Sequence, residues 1–381
     1  MMISEIGSPV NKKTGYSIRI LPVLFFIAIF LLSGCNLAPS PLPRSLYYLD
    51  DVDDVLQIWR LERDGSTRTQ LTFEETGVRD FSVSTADGKL AYINENKLYL
   101  ADSDGQNRQL VVDADLMNIG GEDAIFRNTV SRPSFSPDGS TLAYALDGIH
   151  LLDMRTGNDD HVLTNLGNLL DVSFVFSKEV YTPGAWSPDG SKFIITMSYY
   201  EGYTLAVMEP AKSQPFTRLL TDGAVCCIFT WSEDSRSVLV ANPYFTGTLP
   251  GLWRFDTATG GEEYLLEGHD AEGMINFVGW PYQTIDSDLN FFHSKVERFD
   301  PEKGIPLRLV HSDASGQDHE ILFEQEFRVH DALWAPGGKL VVVSGRQEGL
   351  TNQLMLLNIE TKEILILLEN GDRVGNLTWG P

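Results

Sequence analysis

Pro133-Ser-Phe-Ser-Pro-Asp-Gly-Ser-Thr-Leu-Ala-Tyr144 is the stretch from which the fold can be read. A short segment ending in an aromatic runs into Ser136-Pro137-Asp138-Gly139, and an apolar segment follows. Proline fixes φ at the first turn position and glycine takes the left-handed one, so a hairpin is specified locally. The phrase returns as Gly184-Ala-Trp-Ser-Pro-Asp-Gly-Ser-Lys-Phe-Ile-Ile195. Weaker copies are Phe229-Thr-Trp-Ser-Glu-Asp-Ser235 and Ala332-Leu-Trp-Ala-Pro-Gly-Gly-Lys-Leu-Val-Val342. Aligned on the aromatic position, the repeats fall at Val83, Phe135, Trp186, Trp231, Trp280, Trp334 and Trp379, at intervals of 52, 51, 45, 49, 54 and 45. A period near 50 made only of strand patterns is the signature of a β-propeller.

Each unit reads as four strands, A to D. In the unit quoted first, A is Pro133–Ser136, B is Thr141–Leu146, C is Ile149–Met154 and D is His161–Leu166. The B strands are almost wholly apolar, as in Leu90-Ala-Tyr-Ile93 and Leu340-Val-Val-Val343. A strand sandwiched between neighbouring sheets has two buried faces, so its alternation is lost. The repeat region opens with B, C and D strands at Leu46–Leu49, Gln57–Leu61 and Thr67–Leu71, and ends on a lone A strand, Asn376-Leu-Thr-Trp-Gly-Pro381. The C-terminal strand is therefore expected to join the N-terminal blade and close the ring, removing open sheet edges. The expected class is all-β, a seven-bladed propeller of four-stranded antiparallel blades over residues 45–381; six or eight blades are the alternatives.

Residues 1–34 read as an export signal. Lys12, Lys13 and Arg19 precede an uncharged apolar run from Ile20 to Leu32, too short to span a bilayer. The run ends in Leu32-Ser33-Gly34-Cys35, which resembles the bacterial lipobox. That resemblance implies lipidation of Cys35 and a mature chain beginning there. Residues 35–44 hold Pro39, Pro41 and Pro43 and read as an extended tether. The expected location is the periplasmic or extracytoplasmic face of the cell envelope, with the membrane held through the lipid.

The whole chain carries a formal charge of −24; residues 1–34 are net +2, so the remainder carries −26. A body that acidic repels nucleic acid, which is excluded as a partner.

Ser-Pro-Asp-Gly after an aromatic and before an apolar strand, with Gln70-Leu71-Thr72 and Leu98-Tyr-Leu-Ala-Asp-Ser-Asp-Gly105, resembles the TolB-type, WD-repeat-like propeller motif. The resemblance covers about residues 45–381 and implies a propeller that binds partners. It is strong for fold and weak for function, because this repeat serves many roles.

No nucleophile elbow, zinc-binding helix motif, phosphate loop or Cys-x-x-Cys occurs in the sequence. His311 and His319 flank one hairpin and could meet across it. The longest connections, Asp113–Ser131, Gly167–Thr182, Asn242–Pro250, Val296–Pro306 and Arg346–Asn352, are all of the D–A or B–C kind and are expected on one face. Arg79, Arg132, His330 and Arg373 stand near the starts of A strands and could form a positive ring at the channel mouth. Tyr199, Tyr200, Tyr203, Tyr244 and Phe245 fall in B–C connections and could form an aromatic rim. Cys226 and Cys227 are adjacent and could form a strained vicinal disulfide.

The expected function is that of a lipid-anchored, exported, non-catalytic scaffold. It would bind a protein or an envelope polymer through its long-loop face, without catalytic residues, cofactor or metal. The alternative is a polysaccharide- or peptide-processing enzyme with its site in the propeller channel.

Overall fold

In the computed structural model, the described residues are 40–116, 127–165, 179–199, 202–211, 216–218, 228–242, 251–298, 305–317, 319–347, 349–370 and 374–381, with backbone alone at 199, 202–203, 216–218 and 242. Seven four-stranded antiparallel sheets form the blades of one propeller within residues 42–381.

Blade 1 pairs β28 (Gly375–Trp379) with β1 (Leu46–Val52), β2 (Val55–Leu61) and β3 (Arg68–Gln70). Each later blade takes four consecutive strands. Blade 2 is β4–β7, from Asp80 to Asp113, and blade 3 is β8–β11, from Ser131 to Thr164. Blade 4 is β12–β15, from Val180 to Arg218, and blade 5 is β16–β19, from Ile228 to Glu267. Blade 6 is β20–β23, from Ile275 to Ile321, and blade 7 is β24–β27, from Phe327 to Glu369. The ring closes as the repeat ends required: Trp379 pairs with Leu46, and the Gly380 amide donates to the Ser45 carbonyl at 2.8 Å.

The second strands carry the core. Leu90–Asn94 is buried along its whole length, and Leu142, Val342 and Val343 are fully buried. These strands face a neighbouring sheet on each side, so apolar residues serve both faces.

The Ser-Pro-Asp-Gly hairpins work by a local circuit. Ser136 Oγ donates to Asp138 Oδ1 at 2.7 Å and accepts the Thr141 amide at 3.0 Å. Asp138 also accepts the Ser140 amide, and these bonds, led by Ser136, hold its carboxyl below the usual range. Ser187/Asp189/Lys192 and Ser232/Asp234/Ser237 repeat the same contacts. Gly139 sits at φ 69, and a Cβ there would lie 2.5 Å from Ser84 Oγ of the preceding blade. Glycine therefore serves both the turn and the blade packing.

Tryptophans at the ends of the first strands latch blades together. The indole of Trp186 donates to the Ser134 carbonyl, Trp231 to Ala185, Trp334 to Trp280 and Trp379 to Trp334, at 2.8–3.0 Å. Each bond reaches one blade back and satisfies a polar group inside an otherwise apolar seam.

Blade 6 corrects the repeat alignment. Its hairpin opens at Thr284, so the residue just before the turn is Gln283, not Trp280. A register shift between Gly279 and Tyr282, with Trp280 at φ 47, moves this tryptophan back towards the channel.

Candidate functional site

The innermost strands of blades 3 to 7, joined by Thr196, Ser198 and Leu205 from the next two strands of blade 4, line an open cavity of about 910 Å³. Its wall is organised by one repeated position, the fourth residue back from the one that opens each first hairpin. The opening residues are Gly380, Ser84, Ser136, Ser187, Ser232, Thr284 and Ala335. In ring order from blade 7, the position holds Asp331, Asn376, Asp80, Arg132, Pro183, Ile228 and Trp280. Asp331, Arg132, Pro183, Ile228 and Trp280 line the cavity. Blades 7, 1, 2 and 3 thus present a polar arc, and blades 4, 5 and 6 an apolar one.

Three of these residues are left-handed without being glycine: Arg132 at φ 53, Trp280 at φ 47 and Asn376 at φ 53. Each begins an irregularity in the ladder to the second strand of its blade. Such residues carry backbone strain that the surroundings must hold. In the polar arc, the bulged backbone meets a carboxylate of the blade before it. Asp80 of blade 2 accepts the Arg132 amide of blade 3, and Asp331 of blade 7 accepts the Asn376 amide of blade 1. Asp331 also accepts the Leu377 amide at 3.0 Å and bonds the Trp280 side chain.

Burial pushes the Asp331 carboxyl above the usual carboxylate range, against these hydrogen bonds. Burial likewise raises Asp80, with Arg132 opposing it. Two carboxyls with hindered ionisation, one of them in a cavity wall, are a functional signal on physical grounds.

Around the cavity stand Trp231, Trp334 and Tyr282, with Phe229 on the blade 5 side. Tyr282 packs on Trp334 with ring centroids 5.3 Å apart. Its hydroxyl bonds Glu233 and accepts the Gly337 amide, tying blades 5, 6 and 7 near their turns.

Among the residues singled out in the sequence, Arg132 lies in the cavity wall. Arg79 donates its guanidinium to the Val130 carbonyl, joining blade 2 to the approach to blade 3. His330 is exposed, with Nε2 3.3 Å from Asn352 Oδ1. Tyr199 ends β13 (Phe193–Tyr199), paired with Gly202, and Tyr203 lies within β14 (Gly202–Met208), paired with Ser198, so neither is in a loop. Cys35, Tyr200, Cys226, Cys227, Tyr244, Phe245 and Arg373 lie outside the described residues, as does much of the long connections.

His319 meets His293, with ring centroids 4.8 Å apart, whereas His311 bonds Asn290. Burial pushes His293 down to about 3, so it is neutral at ordinary pH. No cluster of three or more metal-ligating side chains occurs among the described residues.

No family model matches the chain, and no curated protein is significantly similar to it. Solved structures do resemble it. TolB from Acinetobacter baumannii is 15% identical over 88% of this chain and 82% of that one, with a TM-score of 0.45. A prolyl endopeptidase is 11% identical with a TM-score of 0.59; the match covers 90% of this chain but 50% of that one, so this chain spans about half its length. An oligogalacturonate lyase from Vibrio parahaemolyticus is 13% identical over 85% of this chain and 84% of that one, with a TM-score of 0.54.

The expectation of a non-catalytic scaffold acting through its long-loop face is corrected by these likenesses. The same ring serves a peptidase and a lyase at low identity, so the propeller gives no ground for excluding turnover. At these identities the likeness reaches the fold and no further. With its repeated hairpins and closed ring of seven four-stranded antiparallel blades, the chain is an all-β seven-bladed propeller.

Proposed function

We propose that this chain binds a small ligand in its central channel, between the polar and apolar arcs of the wall. The observation that carries the reading is the cavity of about 910 Å³ with Arg132 and Asp331 in its lining and Trp231, Trp280 and Trp334 around them. Its size falls within the range of ligand pockets, and a mostly apolar wall with a few placed polar groups is what such pockets use. The two hindered carboxyls and the strained Arg132 backbone support the same place.

The test is calorimetric titration of the full-length protein with tri-alanine and with digalacturonate, the two chemistries suggested by peptidase and lyase relatives of the fold. The same titrations are repeated on Ala332→Trp, which places an indole in the cavity wall. Binding at about 1 mM or tighter, weakened at least about tenfold in Ala332→Trp with the far-ultraviolet spectrum unchanged, is the expected result. Equal affinity in the two proteins contradicts a channel site.

The sequence also supports an exported, lipid-anchored protein: the basic start, the apolar run to Leu32 and the lipobox-like Leu32–Cys35 occur in the required order. Expression in a bacterial host with mass spectrometry of the amino-terminal peptide checks this. A diacylglycerol-modified Cys35 is expected in the native chain and an unprocessed, unlipidated terminus in Cys35→Ser.

A further inference from the structure

We infer that the channel takes a short zwitterionic peptide, its carboxylate held by Arg132 and its ammonium by Asp331, with its apolar side chains against Pro183, Ile228 and Trp280. This rests on the channel reading above and names the ligand class for it.

The placement of charge carries the argument. Blades 7 and 3 are separated by blades 1 and 2 in one direction and by blades 4, 5 and 6 in the other. In a ring of seven that is roughly 150° of arc, so the two charged residues stand on nearly opposite walls. Both line the same cavity, yet no salt bridge joins them. A ligand with unlike charges at its two ends satisfies both walls at once; a uniformly charged ligand would meet its own sign on one of them.

Each end suits its group. Arg132 is exposed and feels the Asp80 carboxylate, yet no close ion pair ties down its guanidinium among the described residues, and that planar fork of donors matches a second carboxylate. Asp331 receives hydrogen bonds from the Leu377, Ala332 and Asn376 amides and the Trp280 side chain, but no cation pairs with it among the described residues. These bonds fix the carboxylate without neutralising it. An ammonium supplies both the missing charge and donors to this half-buried carboxylate.

The space between the ends is selective. Pro183, Ile228 and Trp280 form an apolar arc, and Tyr282, on the same strand as Trp280, stacks on Trp334 of blade 7. A polyhydroxylated sugar acid would leave this arc facing hydroxyls, whereas alanine or larger aliphatic side chains bury against it. Thr182, Thr196 and Thr230 add hydroxyls on the blade 4 and 5 side that can serve peptide amides.

The experiment is calorimetric titration of the full-length protein with tri-alanine, N-acetyl-tri-alanine and tri-alanine amide, alongside digalacturonate. Arg132→Gln and Asp331→Asn are titrated with the same ligands. Tri-alanine is expected to bind, and blocking either end to weaken it about tenfold or more in the native protein. The acetyl block should cost little further in Asp331→Asn, and the amide block little further in Arg132→Gln.

Blocked peptides binding as tightly as tri-alanine overturn the inference. So does digalacturonate binding in an Ala332→Trp-sensitive manner without any peptide binding, and in that case the channel reading itself survives. Binding that is indifferent to Ala332→Trp overturns both. Should Asp331→Asn not fold, the two blocked peptides on the native protein and on Arg132→Gln decide the matter alone.

Discussion

The two arcs of the channel wall use the same position in the repeat for different ends. Across blades 4 to 6 that position holds Pro183, Ile228 and Trp280, which present apolar surface to the cavity. Across blades 7 to 3 it holds Asp331, Asn376, Asp80 and Arg132, where carboxylates catch the turned amides of the next blade. The polar arc includes the closure of the ring, since Asp331 grips Leu377 of the closing strand. Burial gives the fold its stability cheaply, while polar groups in the same ring must each be satisfied. The comparison teaches that the hold between blades is general and apolar, and that the polar arc is a local departure where ligand chemistry can be built.

If that division is right, the largest loss comes from the packing side. Trp334→Ala removes a 93% buried side chain, its bond to the Trp280 carbonyl and its stack on Tyr282. It is expected to cost about 3–5 kcal/mol in urea unfolding. Asp331→Leu leaves the Leu377 and Asn376 amides and the Trp280 side chain without their acceptor. Its expected cost is smaller, about 1–3 kcal/mol by the same measurement. A loss larger than that of Trp334→Ala would make the polar arc the main structural element of the wall and break the division.

The pH dependence sharpens it. The folded state holds the Asp331 proton to higher pH than the unfolded chain does. Stability from this group is therefore present at low pH and lost as pH rises from the ordinary carboxylate range through the raised value. Asp331→Asn does not titrate there. The native protein should consequently gain stability relative to this variant when pH falls from 7 to about 4.5. Paired urea melts at the two pH values check the sign; a relative loss on acidification contradicts it.

The smallest effect has the opposite direction. Arg132 sits at φ 53, where glycine is unstrained. Arg132→Gly is expected to raise stability by up to about 1 kcal/mol while tri-alanine binding falls. A stability loss would show that the guanidinium, rather than the ligand, is what the wall requires.

The blades were legible because their signals are local. Proline and glycine in Ser136–Gly139 specify a turn by themselves, and Leu90–Ile93 announces a doubly buried strand. The closing strand followed from unmatched ends. The ordered wall of the channel was not legible. Arg132 and Trp280 adopt a left-handed backbone that neither residue type signals, whereas Asn376 is of a type that tolerates it. The carboxylates they meet are contributed by another blade, at a separation no short-range pattern reveals.

Trp280 passes in the sequence for a latch tryptophan because it is an aromatic at nearly the right place. The irregular intervals of 49 and 54 around it were the available clue, since alignment on Gln283 gives 52 and 51. The bulge after Gly279 is what absorbs the difference.

The most direct measurement is a crystal structure of the protein grown with tri-alanine. The account predicts the peptide in the channel, its carboxylate within hydrogen-bond distance of the Arg132 guanidinium and its ammonium on Asp331. A peptide seated on the outer strands or the rim, with Arg132 and Asp331 untouched, would contradict it.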